Sequence, residues 1–162
     1  MTDIVDKQKR SWMMSRIKNK DTKPELVVRQ ILYSNGYRYR IHVKSLPGKP
    51  DIVFHGRKKI IRINGCFWHG HDCDLFSIPK TNRGKWMHKI GDNVNRDECN
   101  FLKLDEMGWK VCTLWECSIR GKERLDEVYL SEMLFNWIDG SDTHLEIRGK
   151  SWDGEIVHAQ AK

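Results

Sequence analysis

No apolar run in the 162 residues approaches the roughly 18 needed to cross a bilayer, so no membrane-spanning helix is expected. The opening stretch, MTDIVDKQKRSWMMSR, lacks the apolar core of a secretion signal. Internal repeats and low-complexity tracts are absent too, which leaves one globular domain as the natural count at this length. Acidic residues are in deficit, 22 against 29 Lys and Arg, giving a net charge of +7 and a pI near 9.2. That imbalance favours a polyanionic partner. Five cysteines, an odd number without a secretion signal, argue against a disulfide framework and for a reducing cytoplasm. Clustered Cys and His are then better read as metal ligands.

Local patterns give an order of elements. Residues 1–20 are polar and basic around an apolar knot of Trp12, Met13, Met14 and Ile17, and read as an arm or short helix that orders on a partner. Thr22-Lys23-Pro24-Glu25 opens a helix, with Thr22 as cap, Pro24 in the first turn and Glu25 as the reciprocal half of a capping box. Tyr37 to Val43 alternates like a strand. Asp51–Phe54 and Lys59–Asn64 read as a hairpin after the turn Leu46–Pro50. A loop dense in His, Cys and aromatics follows from Gly65 to about Pro79. A helix is expected from about Asn93 to Met107, a buried central strand over Val111–Trp115, and a last helix over about Glu123–Ile138. The order implies an α/β domain with helices flanking a mixed central sheet. It divides into an arm (1–20), a domain (21–140) and a polar tail (141–162) with little signal.

The loop carries the most chemistry. Cys66, His69, His71 and Cys73 fall within one short stretch, and zinc takes four such ligands in a tetrahedron. Cys66, His71 and Cys73 supply three. The fourth is His69 or a distant residue, with Cys117, just past the central strand, the best distant candidate. Cys99 and Cys112 lie inside a helix and a strand and read as core thiols. The plain alternative is buried cysteines beside exposed histidines. A closed set of four ligands would be structural, because it leaves no position for water.

Pro50-Asp51 at a strand start is where many nucleases place a Mg²⁺-binding carboxylate, followed on the next strand by Glu-x-Lys. That second element is missing here, since the next strand reads Arg62-Ile63-Asn64. His69 fits a general base held in place or, as readily, a zinc ligand or surface residue. Phe67 and Trp68 adjoin the first cysteine, and Trp86 follows the basic stretch Lys80–Lys85. Rings beside basic residues stack on bases or wedge between them. Trp115 and Trp137, in periodic patterns, read as core.

Gly65-Cys66-Phe67-Trp68-His69 followed by His71 and Cys73 resembles the signature of very short patch repair (Vsr) DNA mismatch endonucleases. Asp6-Lys7, Arg10-Ser11, Met14, Asp21-Thr22, Glu25, Ser45–Asp51, Lys89–Gly91, Asn93, Arg96-Asp97, Gly108-Trp109 and Trp115–Cys117 extend the resemblance over roughly residues 1–140. It implies a restriction-endonuclease-like core with a structural zinc site. The implied reaction is a Mg²⁺-dependent nick 5′ to the mismatched T of a T·G pair left by deamination of 5-methylcytosine. It implies that Asp51 and the main-chain carbonyl of Ile63 bind Mg²⁺, that His69 is the general base, and that Glu25 holds metal-bound water. By the same resemblance, Cys66, His71, Cys73 and Cys117 bind zinc. Phe67, Trp68 and Trp86 would form the aromatic wedge, with Met14 inserted from the opposite groove. Asn64 stands where the best-known members carry a histidine near the phosphate, and it cannot carry a proton at neutral pH. Double-stranded DNA with a T·G mismatch is the implied partner, with mismatch-repair proteins beside it, for a cytoplasmic, nucleoid-associated bacterial monomer. The rival readings are a nuclease of the same fold acting on paired DNA, a non-catalytic zinc-stabilised DNA-binding module, and a protein-interaction domain.

Overall fold

The structure, a computed structural model, describes residues 5–150. Its helices are α1 (Lys7–Ser15), α2 (Lys23–Ser34), α3 (Arg83–Glu106) and α4 (Glu127–Asp139). Its strands are β1 (Arg40–Ile41), β2 (Ile52–Phe54), β3 (Lys59–Asn64), β4 (Lys110–Trp115) and β5 (Leu145–Ile147). The strands form one mixed sheet in the order β1-β2-β3-β4-β5. The first three are antiparallel neighbours, and β3, β4 and β5 run parallel. Each parallel step carries a helix as its crossover, α3 between β3 and β4, and α4 between β4 and β5. None of the described helices is long and apolar enough to cross a membrane.

Side-chain alternation splits the sheet into two buried faces. Ile52 and Phe54 of β2, Ile61 of β3, Cys112 and Leu114 of β4 and Ile147 of β5 pack under α2 and α4. Val53, Ile60 and Val111 point the other way, against Leu104 of α3, Trp109 and Leu46. Lys59 shares the face of Ile61 and is buried, with its ammonium donating to the main-chain oxygens of Trp137, Ile138 and Gly140. A cation there meets the negative end of α4 and satisfies carbonyls that the helix leaves unpaired.

The boundaries differ from the sequence reading in several places. Thr22 caps α2 as expected, accepting from the Glu25 N–H at 3.5 Å. From Tyr37 to Val43 only Arg40 and Ile41 pair with β2. Helix α3 starts at Arg83 rather than near Asn93. Its first turns carry Gly84 and basic residues with no capping side chain, so no start signal is visible there. Helix α4 starts at Glu127 rather than Glu123, because Asp126 is the cap and accepts from Val128 and Tyr129 N–H groups. Cys99 is exposed on α3 and is not a core thiol. The stretch after Gly140, read as a polar tail, contributes β5 to the sheet. Residues from 151 onward lie outside the described residues.

Candidate active site and metal-ligand cluster

At the carboxyl ends of the parallel pair β3 and β4, the face toward α3 turns polar. Arg62 pairs with Thr113 and Asn64 with Trp115. Carboxyl ends of parallel strands are where α/β sheets open crevices. Here a cleft of about 990 Å³ is lined by Glu25, Asp51, Ile63, Asn64, His69 and Asp97, and by residues 17–20 that follow α1. The structure therefore gathers from four separate segments the residues singled out for cation binding and base catalysis, and adds Asp97 of α3.

Asp51 sits just before β2, and its carboxylate accepts the Ile63 N–H at 2.7 Å. Burial pushes its pKa up from 3.8 to about 6, the Ile63 bond opposes that, and Glu25 adds to it. Its hydrogen bonding, among the described residues, comes from one neutral N–H, and the positive charge of nearby Arg29 offsets the cost of burial only in part, so a bound cation would relieve it. Glu25, only 3% exposed, accepts at Oε2 from the Asp21 N–H at 3.0 Å and from Arg29 at 2.8 Å, while the Thr22 hydroxyl bonds Oε1 at 3.2 Å. It reaches back past the cap residue, so one side chain serves both the helix start and the cleft.

His69 Nδ1 is hydrogen-bonded to Asp97 Oδ2. With the proton on Nδ1, the other ring nitrogen keeps its lone pair, as a base requires. Arg62 ties this partner down, donating to the main-chain oxygen of Asp97 at 3.1 Å and to the Thr113 hydroxyl at 3.0 Å. Neither role is visible in the sequence. Position 97 is 28 residues from position 69 on another element, and no local spacing marks such a pair.

The Sγ atoms of Cys66, Cys73 and Cys117 and a ring nitrogen of His71 lie within 4.8 Å of one another. His71 Nδ1 is 3.6 Å from both Cys66 Sγ and Cys117 Sγ. A tetrahedral ion with sulfur at about 2.3 Å and nitrogen at about 2.0–2.1 Å holds such atoms about 3.6 Å apart. The donor set and spacing thus fit a closed metal site. His69 is outside it, bonded to Asp97. The cluster is wired into its surroundings. Cys117 Sγ accepts the Gly149 N–H at 3.3 Å and Cys66 Sγ the Cys117 N–H at 3.4 Å. His71 stacks on Trp115 at 4.1 Å, so Trp115 is half-buried against that ring rather than in the core. Trp137 is in the core, 2% exposed.

Phe67, Trp68 and Trp86 meet at centroid distances of 5.1 to 5.9 Å. Two residues not anticipated join them. Phe76 lies 6.3 Å from Phe67, and the Lys89 ammonium lies 5.2 Å over Trp68. Asn93 donates to the Trp68 main-chain oxygen at 2.9 Å, fixing the ring-bearing loop to α3. Gly70, at φ +63°, lets the loop close on that helix, since a Cβ there would stand 3.0 Å from Ile90 Cγ2. Met14 lies on α1, a helix with no buried residue, beside exposed Trp12, Met13 and Ile17.

Known proteins similar to most of this chain are DNA endonucleases. The model of the family "DNA mismatch endonuclease Vsr" matches residues 2–75. The DNA mismatch endonuclease Vsr of Escherichia coli is 41% identical over 147 residues, covering 91% of this chain and 94% of that protein. A type II nicking enzyme of Neisseria meningitidis serogroup A is 45% identical over 132 residues, 79% of this chain and 94% of its own. Another, of Xanthomonas oryzae, is 42% identical over 119 residues, 74% and 88% of the two chains. The chain belongs to the Vsr family of DNA mismatch endonucleases.

Proposed function

We propose that this endonuclease nicks one strand on the 5′ side of the mismatched T in a T·G pair left by deamination of 5-methylcytosine, and so starts very short patch repair. The observation that carries the reading is the convergence of Asp51, Glu25 and the His69–Asp97 pair in one cleft, with Phe67 and Trp68 on the same loop as His69 and packed against Trp86 of α3. The names of the nicking relatives support a single-strand cut.

In this reading the basic surface and the arm of residues 1–20 find DNA through its phosphates. Phe67, Trp68 and Trp86 wedge beside the base pair, with Met14 entering from the opposite groove. A mispaired step unstacks more easily, so the wedge discriminates as it binds. Asp51 and the Ile63 main-chain carbonyl would hold Mg²⁺, which supplies charge neutralisation at the scissile phosphate. His69, oriented by Asp97, takes the proton from the attacking water at its free ring nitrogen. Glu25 orders water beside Asp51. Asn64, 7% exposed at the end of β3, offers hydrogen bonds to the phosphate without a proton to give. Cys66, His71, Cys73 and Cys117 would hold structural Zn²⁺, so that one clamp fixes Phe67, Trp68 and His69 between its ligands. The mixed sheet is then a variant of the restriction-endonuclease core, spanning residues 21–140 with the tail from 141 adding its last strand. The protein acts as a cytoplasmic, nucleoid-associated monomer alongside mismatch-repair proteins.

Nicking of a T·G duplex by His69→Ala and Asp51→Ala tests the assignment. Loss of a general base lowers the single-turnover rate by about 10²–10⁴-fold, and loss of the cation ligand lowers it at least as far. Wild-type nicking by either variant rejects the site.

A further inference from the structure

We propose that Arg29 and His42 are positioning residues for the nicking reaction, fixing the Glu25 carboxylate on the cleft wall that carries Asp51. The proposal rests on the reading that Asp51 anchors the cation and Glu25 orders water beside it.

The carboxylates of Asp21 and Glu25 and the ring of His42 bring their ligand atoms within 4.8 Å of one another, which on spacing alone would suit a second metal ion. The Arg29 guanidinium occupies that space. One terminal nitrogen is 2.7 Å from Asp21 Oδ1, and the other is 2.8 Å from Glu25 Oε2 and 3.1 Å from His42 Nε2. His42 Nε2 is itself 3.1 Å from Glu25 Oε2. A guanidinium fork suits two carboxylates at once, and a cation already there leaves no charge deficit for a metal. The cluster is therefore a clamp on Glu25.

The clamp also reaches Asp51. The His42 N–H donates to the Asp51 main-chain oxygen at 3.3 Å. His42 holds a left-handed backbone, φ +47°, and so does Asp21, φ +53°. Residues other than glycine keep that conformation where surrounding bonds impose it. One histidine thus links the acid on α2 to the residue that precedes β2. A side chain held from Oε2 by Asp21, Arg29 and His42 has little rotational freedom left, which is what ordering a water molecule requires.

The test uses the full chain with its cluster metal in place. Single-turnover nicking of a T·G duplex is measured at saturating Mg²⁺ for Arg29→Met, His42→Leu and His42→Gln, with melting temperature and Mn²⁺ affinity in the absence of DNA measured beside it. Glutamine offers both a donor for Glu25 and an acceptor for Arg29, and leucine neither. Arg29→Met and His42→Leu are expected to nick about 10–100-fold more slowly and to bind Mn²⁺ more weakly, while His42→Gln recovers to within about threefold of wild type. Wild-type rates in Arg29→Met and His42→Leu, or a His42→Gln variant as slow as His42→Leu, overturn the proposal. The His42 pair decides the matter if Arg29→Met does not fold. Normal nicking by Asp51→Ala would instead sink the reading of the site itself, independently of these variants.

Discussion

Stripped of metal at Cys66, His71, Cys73 and Cys117, the protein is expected to stop nicking and to melt about 10–20 °C lower. Structural zinc contributes roughly 10–16 kcal/mol in small peptides, and about 5 kcal/mol of that suffices for such a shift in a domain of this size. The loss should spread because the four candidate ligands come from separate elements. Three come from the loop after β3 and one follows β4, and the Gly149 N–H after β5 bonds Cys117 Sγ. The ring of His71 rests on Trp115, whose indole N–H donates to Glu146 of β5 at 2.7 Å. Chelation followed by thermal melting and Trp fluorescence checks this. Gly149→Ala is expected to weaken the same cluster without replacing any of its four side chains, since a Cβ there would lie 2.6 Å from Cys117 O and 2.7 Å from Glu123 O. Full nicking and an unshifted melting temperature after stoichiometric metal removal would contradict the structural role.

Asp51→Asn is expected to abolish nicking while making the cation-free protein more stable at pH 7.5. Burial raises the Asp51 carboxyl from 3.8 to about 6. The folded form therefore binds the proton more tightly than the unfolded chain. Stability contributed by this group is present below about pH 4 and is lost as pH climbs through about 6. Asparagine can still accept the Ile63 N–H but never ionises. At pH 7.5 the variant should gain on the order of 1–3 kcal/mol over wild type without Mg²⁺, and near pH 5 the gap should shrink. Added Mg²⁺ should stabilise wild type alone, more strongly at pH 7.5 than at pH 5. Melting curves at the two pH values, with and without Mg²⁺, give all four comparisons. A variant less stable than wild type at pH 7.5 without cation would refute the buried-acid account.

Much of the site was legible because its signals are local. Thr22-Lys23-Pro24-Glu25 announces a helix start, Pro50-Asp51 a turn into a strand, and Cys66, His71 and Cys73 a ligand spacing within one loop. Cys117 was reachable because strand ends neighbour loops beside a sheet. What stayed hidden depends on tertiary contact. Asp97 meets His69 only because α3 crosses over the carboxyl ends of β3 and β4, and Arg62 holds it there. Arg29 and His42 converge on Glu25 from a helix and from the turn after β1, without a shared period. The short strand β5 follows a polar stretch, and its pairing with β4 sets its place more than any apolar run does. The first turns of α3 are exposed and basic, so amphipathic spacing becomes visible only further along.

In the proposed reaction a duplex is cut because a base pair is mismatched, at a cleft where Phe67, Trp68 and His69 share one loop. The direct measurement is single-turnover nicking, with Mg²⁺, of two duplexes that differ only in T·G against C·G at one position. The account predicts a single nick 5′ to the T in the first and none in the second. Equal cutting of both, or cutting of both strands, would contradict it.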